Sequence, residues 1–259
     1  MSGVWSQGER ERYARHFVLP GFGESGQQKL RRARALVVGV GGLGSPVALY
    51  LAAAGLGTLH LVDADRVSVS NLQRQIVHGT ATVGRPKPES AAVRLADLNP
   101  ATLLELTMAR FSSANARTLV RDADIVVDGT DNLKTRFLIN EACLERGIPF
   151  VYGAVSQYEG QTGVLCLSGG PCYRCLFPLC PPEDAVPDPE RVGLLAVVPG
   201  VIGTLQAAAA IRWITRYAET PVGRLQIYDA RLGEVFSIEI ARDPACPACG
   251  GATGGSSTP

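Results

Sequence analysis

Two groups of residues in this chain have the types and spacing to do chemistry. The first is four cysteines in two C-x-x-C pairs, Cys172 with Cys175 and Cys246 with Cys249, out of seven cysteines in all. Each pair carries turn-forming residues, so the four thiolates can close a tetrahedral shell around zinc. The 70 residues between the pairs exceed the spacing of an ordinary zinc ribbon. Loop-closure entropy grows slowly, however, and the extra length costs only ~1 kcal/mol, against ~10 to 16 kcal/mol for structural zinc in small peptides. A closed four-cysteine shell leaves no open coordination position, which predicts a structural ion and not a catalytic one. Redox C-x-x-C pairs and free thiols stand as alternatives. An odd cysteine count in a reducing compartment favours metal over disulfides.

The second group surrounds a glycine-rich stretch. Gly39, Gly41 and Gly44 fit G-x-G-x-x-G, and Asp63 follows 24 positions after Gly39. Glycines permit a tight turn and let backbone N–H groups approach a phosphate at the positive end of a helix, while the acid can accept hydrogen bonds from ribose hydroxyls. The alternative is that the glycines only allow a helix to pack closely on a sheet. Arg15, Arg74 and Lys87 flank this unit in sequence, and Asp131 stands at a later turn. Surplus positive charge has little purpose beside the pyrophosphate of a hydride carrier. Cations and a metal-holding carboxylate do neutralise the charge that develops when a triphosphate is cleaved. The set therefore favours ATP over NAD. Taken singly, each cation can equally be a solvated surface residue. Asp131 can equally be a helix N-cap, since Thr130, Asp131 and Asn132 are all good caps.

The elements that must hold these residues follow from the pattern. Leu36–Val38, the glycine turn, an Ala- and Leu-rich run to Ala54 and Leu59–Asp63 read as strand, turn, helix and strand. Asn71, Arg74 and Gln75 come after a strand's carboxyl end, which in an open α/β sheet faces the ligand crevice. Pro86 and Pro88 bracket Lys87 at the start of a helix through Leu98, a position that is electropositive. Asp124–Asp128 is a buried strand, and it places Asp131 and Asn132 in a second strand-to-helix turn before a helix from about Lys134 to Arg146. A strand at Phe150–Ala154 follows. From Gly160 the style changes to extended strands at Gln161–Leu167, Leu225–Tyr228 and Val235–Ile240. Between them lie a proline-rich loop over 178–199 and an apolar helix, Gly200–Tyr217, that must be buried or lie at a subunit interface. Cys143 and Cys166 fall in a helix and a strand, where buried, inert thiols are expected. The fold class is α/β: a Rossmann-like nucleotide-binding sheet, parallel in its first half and extended by antiparallel strands, with a structural zinc site made by four cysteines.

Composition bounds the partners. With 25 Lys and Arg against 24 Asp and Glu, bulk charge points to neither nucleic acid nor an anionic membrane. No Asp, Glu, Lys or Arg occurs from Leu36 to Val62, but six glycines and Pro46 inside that run argue for a buried strand–helix–strand rather than a membrane span. Residues 1–12 lack the apolar core of a signal peptide, so a cytoplasmic protein is expected.

The motifs Arg12-Tyr13-x-Arg15, Gly39-x-Gly41-Gly42-Leu43-Gly44, Asp63-x-Asp65, Ser70-Asn71-Leu72-Gln73-Arg74-Gln75, Val83-Gly84-x-Pro86-Lys87, Asp131-Asn132-x-x-x-Arg136 and Cys172-Tyr173-Arg174-Cys175 together resemble the MoeB/ThiF family. These are bacterial relatives of ubiquitin-activating enzymes, and the match runs from about Arg12 to Gly250. The resemblance implies Mg-ATP-dependent adenylation of the C-terminal Gly-Gly carboxylate of a ubiquitin-like sulfur-carrier protein, MoaD-like in preference to ThiS-like, by a homodimer. It implies that Gly39, Gly41, Gly42 and Gly44 lie near the phosphates, with Asp63 on the ribose and Asp65 beside it. Asn71, Arg74 and Lys87 would contact phosphates, Asp131 would bind Mg²⁺ or orient it, Asn132 would face the nucleotide beside it, and Arg15 would reach the γ-phosphate of the neighbouring subunit. The domain expected is a single one over 1–250, made of a helical segment (1–35), a nucleotide-binding half (36–154) and a carrier-binding and zinc half (155–250). A disordered tail, 251–259, would follow. One departure matters: Pro189 stands where relatives commonly carry a loop cysteine, so no persulfide or thioester can form at that position. Cys180, nine residues earlier, is the nearest thiol in that loop.

Overall fold

In the computed structural model, which describes residues 5–181 and 192–250, the chain begins with three helices, α1 (Gln7–Arg12), α2 (Ala14–Phe17) and α3 (Gly23–Arg32). Ser6 starts α1 with a capping box, its hydroxyl accepting from the Glu9 N–H and the Glu9 carboxylate from the Ser6 N–H. That pairing satisfies two donors at the helix start. The uncharged run that follows is strand β1 (Arg34–Val38), helix α4 (Gly44–Ala53) and strand β2 (Thr58–Val62), as its pattern predicts. Next come α5 (Lys87–Leu98), β3 (Leu103–Thr107), α6 (Ala116–Val120), β4 (Ile125–Asp128), α7 (Leu133–Arg146), β5 (Phe150–Ser156) and β6 (Glu159–Leu165). A one-turn helix α8 (Tyr173–Leu176), a long helix α9 (Val197–Thr215) and strands β7 (Arg224–Asp229) and β8 (Glu234–Glu239) complete the described residues.

All eight strands form one sheet in the order β3-β2-β1-β4-β5-β6-β7-β8. Pairing is parallel from β3 through β5 and antiparallel from β5 to β8. Alternation along the strands splits the core in two. Ala35, Val37, Leu59, Leu61, Ile125, Val127 and Val151 pack with Val47, Leu51, Leu95 and Ala207 of α4, α5 and α9 on one face. Leu36, Val38, Val126, Phe150 and Tyr152 pack with Val120, Phe137 and Ile139 of α6 and α7 on the other. With both faces covered, every residue of β4 is buried, which is why that strand reads as a continuous apolar run closed by Asp128. The chain leaves β1 toward β2 and β3, then returns to place β4 on the other side of β1. The crevice of such a reversal lies at the carboxyl ends of these strands.

Boundaries move where the local signal is ambiguous. Helix α9 starts at Val197, ahead of Gly200, and takes Pro199 into its first turn, where a backbone N–H has no intrahelical acceptor and proline is tolerated. It is long and apolar enough to cross a membrane by length and composition. Here it buries Val198, Ile202, Gln206, Ala207 and Ala210. Cys166 lies just past β6 with φ +62° instead of within a strand, and it is buried. Pro189 and the tail 251–259 lie outside the described residues.

Candidate functional site

The glycine turn between β1 and α4 packs directly on the turn after β4. Gly39 has φ +89°, and a Cβ there would sit 2.7 Å from the carbonyl of Gly129. A Cβ on Gly44 would sit 2.0 Å from the Gly39 oxygen, and one on Gly129 2.3 Å from that same oxygen. These three positions need glycine so that two backbone turns can touch. Gly41 differs, since a Cβ there would meet only the Gln75 side chain, at 3.5 Å. At Gly42 it would press on Pro199 of α9 at 3.1 Å. Both readings of the glycine motif are therefore realised, at different positions. The amides of Gly41, Gly42 and Leu43, just ahead of α4, donate to no backbone carbonyl among the described residues, so the positive end of that helix offers free donors.

Acidic residues at the end of β2 brace this turn. Asp63 accepts from the Val40 N–H at 2.7 Å with one carboxylate oxygen and from the Asp65 N–H at 2.8 Å with the other. Asp65 in turn holds Lys87: its carboxylate pairs with Nζ at 2.8 Å and its carbonyl accepts the Lys87 N–H at 2.9 Å. The Lys87 side chain is 8% exposed and that of Asp65 63%, so a buried stem delivers an ammonium to a solvent-facing carboxylate. Asn71 closes a short turn by accepting from the Ser68 N–H at 3.1 Å. Arg74, half-buried, donates to the Ser70 carbonyl at 3.3 Å.

At the turn after β4 the cap is Asn132, whose side chain accepts from the Thr135 N–H at 3.0 Å. Asp131 is exposed and does not serve as the cap. Asn132, expected to face the nucleotide, spends its side-chain oxygen on the helix start. Beneath them lies a pair that residue types do not announce. Asp128, fully buried, accepts from the Thr130 N–H at 2.9 Å, the Thr130 hydroxyl at 2.6 Å and Arg136 Nε at 3.1 Å. Arg136 Nη2 also donates to the Thr130 carbonyl at 2.8 Å. Burial pushes the Asp128 carboxyl up, opposed by Arg136 and the two Thr130 donors. The only signal in the sequence is an Asp closing an apolar strand with an Arg eight positions on.

Sequence reasoning also misses His78. It is buried, with Nδ1 2.9 Å from Ser90 Oγ and Nε2 2.9 Å from the Val40 carbonyl, and burial pulls its pKa down. Arg15 is not brought to this crevice. It is exposed on α2, in a segment whose Tyr13 packs against Gly55 and accepts from Asn99 at 2.9 Å, at the far end of α4 from the glycine turn.

The four paired cysteines converge as expected. Sγ atoms lie 3.6 Å apart for Cys172 and Cys246 and 3.5 Å for Cys175 and Cys249, and all four lie within 4.8 Å of one another. A tetrahedral zinc with bonds of ~2.3 Å needs sulfur–sulfur separations of about 3.8 Å, so the donor set fits. None of the four is in a disulfide. Burial pushes the Cys172 and Cys249 thiols up, while at Cys246 burial is outweighed by the N–H groups of Ala248 and Cys249 and the neighbouring thiols, which bring it down to about 7, so it is the four-sulfur geometry that supports a metal. Burial pushes the Cys143 and Cys166 thiols up, as inert thiols should be.

The model of the ThiF family matches residues 13–248. The chain belongs to the ThiF family. Among curated relatives, this ThiF-family protein is 44% identical to a sulfur carrier protein adenylyltransferase of Thermus thermophilus, over 95% of this chain and 93% of that one. It is 45% identical to the SAMP-activating enzyme E1 of Haloferax volcanii, over 93% and 88% of the two chains. A probable adenylyltransferase/sulfurtransferase MoeZ of Mycobacterium tuberculosis is 42% identical over 93% of this chain and 63% of its own length. The crystal structure of E. coli MccB with ATP superposes with a TM-score of 0.81 at 24% identity, over 92% of this chain and 74% of that one. That likeness shows that the fold is shared.

Proposed function

We propose that this ThiF-family protein uses Mg-ATP to adenylate the C-terminal Gly-Gly carboxylate of a ubiquitin-like sulfur-carrier protein, releasing pyrophosphate. What supports the reading is the set of amides at Gly41–Leu43 that no backbone carbonyl among the described residues takes, with Arg74 beside Gly42 and Lys87 tied through Asp65 and Asp63 to the same turn. Relatives at 44% and 45% identity, named as a sulfur carrier protein adenylyltransferase and a SAMP-activating enzyme E1, agree with it.

The chemistry asks for little more than charge and position. A carboxylate is ionised at neutral pH, so its oxygen attacks the α-phosphorus without a general base. The bond to the β-phosphate oxygen breaks and pyrophosphate departs. The obstacle is repulsion between two anions, which preorganised cations and in-line placement overcome. In this reading the amides of Gly41 and Gly42 and the side chains of Asn71, Arg74 and Lys87 hold phosphates. Asp63, already bonded through both oxygens to the turn, has lone pairs left for the ribose. Asp131 would hold Mg²⁺, which supplies charge neutralisation. Asp65 positions Lys87, and Asn132 positions the start of α7. Arg15 acts on the nucleotide of a second copy, which accounts for its place away from this chain's own crevice and makes the enzyme a homodimer. Cys172, Cys175, Cys246 and Cys249 hold structural Zn²⁺. The carrier is MoaD-like, for molybdenum cofactor biosynthesis, in preference to ThiS-like, and the enzyme acts in the cytoplasm.

Exchange of labelled pyrophosphate into ATP, run with MoaD-like and ThiS-like carriers and with each lacking its Gly-Gly end, tests the proposal. Exchange is expected only with an intact carrier, and the better carrier identifies the pathway. Exchange indifferent to the carrier would sink the reading.

A further inference from the structure

The Val40 peptide groups are held from both sides by hydrogen bonds that lead to one helix, α5. The Val40 N–H goes to Asp63, which takes the Asp65 N–H; Asp65 grips Lys87 through side chain and backbone. Lys87 and Ser90 sit on adjacent turns of α5, and Ser90 Oγ meets His78 Nδ1 at 2.9 Å. His78 Nε2 then returns to the Val40 carbonyl at 2.9 Å. His78 is the link that joins the Val40 carbonyl to α5.

We infer that His78, donating from Nε2 to the Val40 carbonyl, is a positioning residue that aims the Gly41 amide at the nucleotide phosphates. The inference rests on the adenylation reading above and deepens it. Proton accounting supplies the donor: a carbonyl oxygen only accepts, so Nε2 must carry the hydrogen. The peptide plane supplies the consequence. In the trans Val40–Gly41 peptide the C=O and N–H point in opposite directions, so a carbonyl drawn to His78 turns the Gly41 N–H away from the core. On its other side Gly41 is held through its carbonyl, which accepts the Ser45 N–H at 2.9 Å. Burial lowers the pKa of the ring, with Lys87 adding to the effect and the Val40 carbonyl and Asp63 opposing it. Through Ser90, the same imidazole couples the glycine turn to the helix that starts with Lys87. One side chain thus sets the spacing between two phosphate-binding groups.

The test compares His78→Gln with His78→Asn. The amide nitrogen of glutamine reaches the place of Nε2 and can donate to the Val40 carbonyl, whereas asparagine reaches only the place of Nδ1. Mg-ATP affinity is measured by calorimetry, alongside the melting temperature. His78→Gln is expected to bind within about twofold of the parent and His78→Asn about tenfold more weakly, since a misplacement of ~1 Å can cost up to about 100-fold. The two variants should melt close together. Nitrogen shifts of labelled histidine in the unaltered protein should report Nε2–H at neutral pH. Equal affinity in the two variants, or a His78 without a hydrogen on Nε2, overturns the inference. Should asparagine prevent folding, the nitrogen shifts decide alone. If the unaltered protein fails to bind Mg-ATP at all, the adenylation reading fails and this inference with it. A difference between variants that tracks only melting temperature refutes the positioning role and leaves adenylation standing.

Discussion

Exchanging Gly39 and Gly41 for alanine, one at a time, separates the two jobs of the glycine motif. At Gly39 the backbone is left-handed, φ +89°, and the added Cβ would lie 2.7 Å from the Gly129 carbonyl carbon and oxygen. The conformational term for an L residue is ~1–2 kcal/mol and forced overpacking adds ~1–3 kcal/mol. The neighbour is backbone and cannot rotate away, so a loss of about 2–5 kcal/mol is expected, a large part of the ~5–15 kcal/mol that holds a typical domain. At Gly41 the nearest atom is the Gln75 amide nitrogen at 3.5 Å, an ordinary contact, and φ is not positive. Stability should stay within ~0.5 kcal/mol. The new methyl group instead stands where a phosphate would approach the amide, and Mg-ATP affinity should fall about tenfold, ~1.4 kcal/mol. Urea unfolding measures the first quantity and calorimetry the second. The reasoning is refuted if Gly41→Ala unfolds as readily as Gly39→Ala, or if it binds Mg-ATP like the parent.

Other perturbations separate structure from chemistry elsewhere. Arg136→Met strands the fully buried Asp128 carboxylate and should cost ~3–5 kcal/mol in urea unfolding; a cost under ~1 kcal/mol would deny the pair its role in the turn below Asp131. Asn132→Ala removes the observed cap and should cost ~1 kcal/mol, whereas Asp131→Asn should leave unfolding unchanged and raise the Mg²⁺ concentration needed for pyrophosphate exchange. Protein purified without chelator should carry one zinc per chain by elemental analysis, and Cys246→Ser should lower both zinc content and melting temperature. His60 and His78 have pKa values lowered first by burial, so the native state binds fewer protons than the unfolded one. Their contribution is full above the unfolded value of ~6.5 and is lost as pH falls below it toward the folded values. His78→Gln should flatten the fall in melting temperature over that window, and an unchanged slope would contradict a buried neutral ring.

Much of the fold is legible in the sequence because its signals are local. The glycine turn, the alternating strand faces and the acid at the end of β2 each depend on neighbours a few residues away. The start of α9 is harder to place, because Pro199 reads as a loop residue until one sees that it occupies a first-turn position, where no N–H is needed. Cys166 reads as a strand residue because nothing in its neighbours announces a left-handed conformation. The Asp128–Arg136 pair and His78 escape sequence reasoning for another reason. Each acquires its role from partners, Thr130 or the Val40 carbonyl, that no periodicity connects to it. Arg15 groups with the other cations by motif alone, and its distance from them emerges only when α2 is seen packed at the far end of α4.

By itself the sequence determined the element types, the nucleotide-binding class and the cysteine set, since hydrophobic period, turn chemistry and residue type are properties of short stretches. Tertiary structure decided which glycine serves packing and which leaves an amide open, which of Asp131 and Asn132 caps a helix, and which side chains brace the turn. Those choices depend on which atoms meet across the fold, such as the Gly129 carbonyl over Gly39, and that approach is set by the packing of β1 against β4 rather than by any stretch of chain.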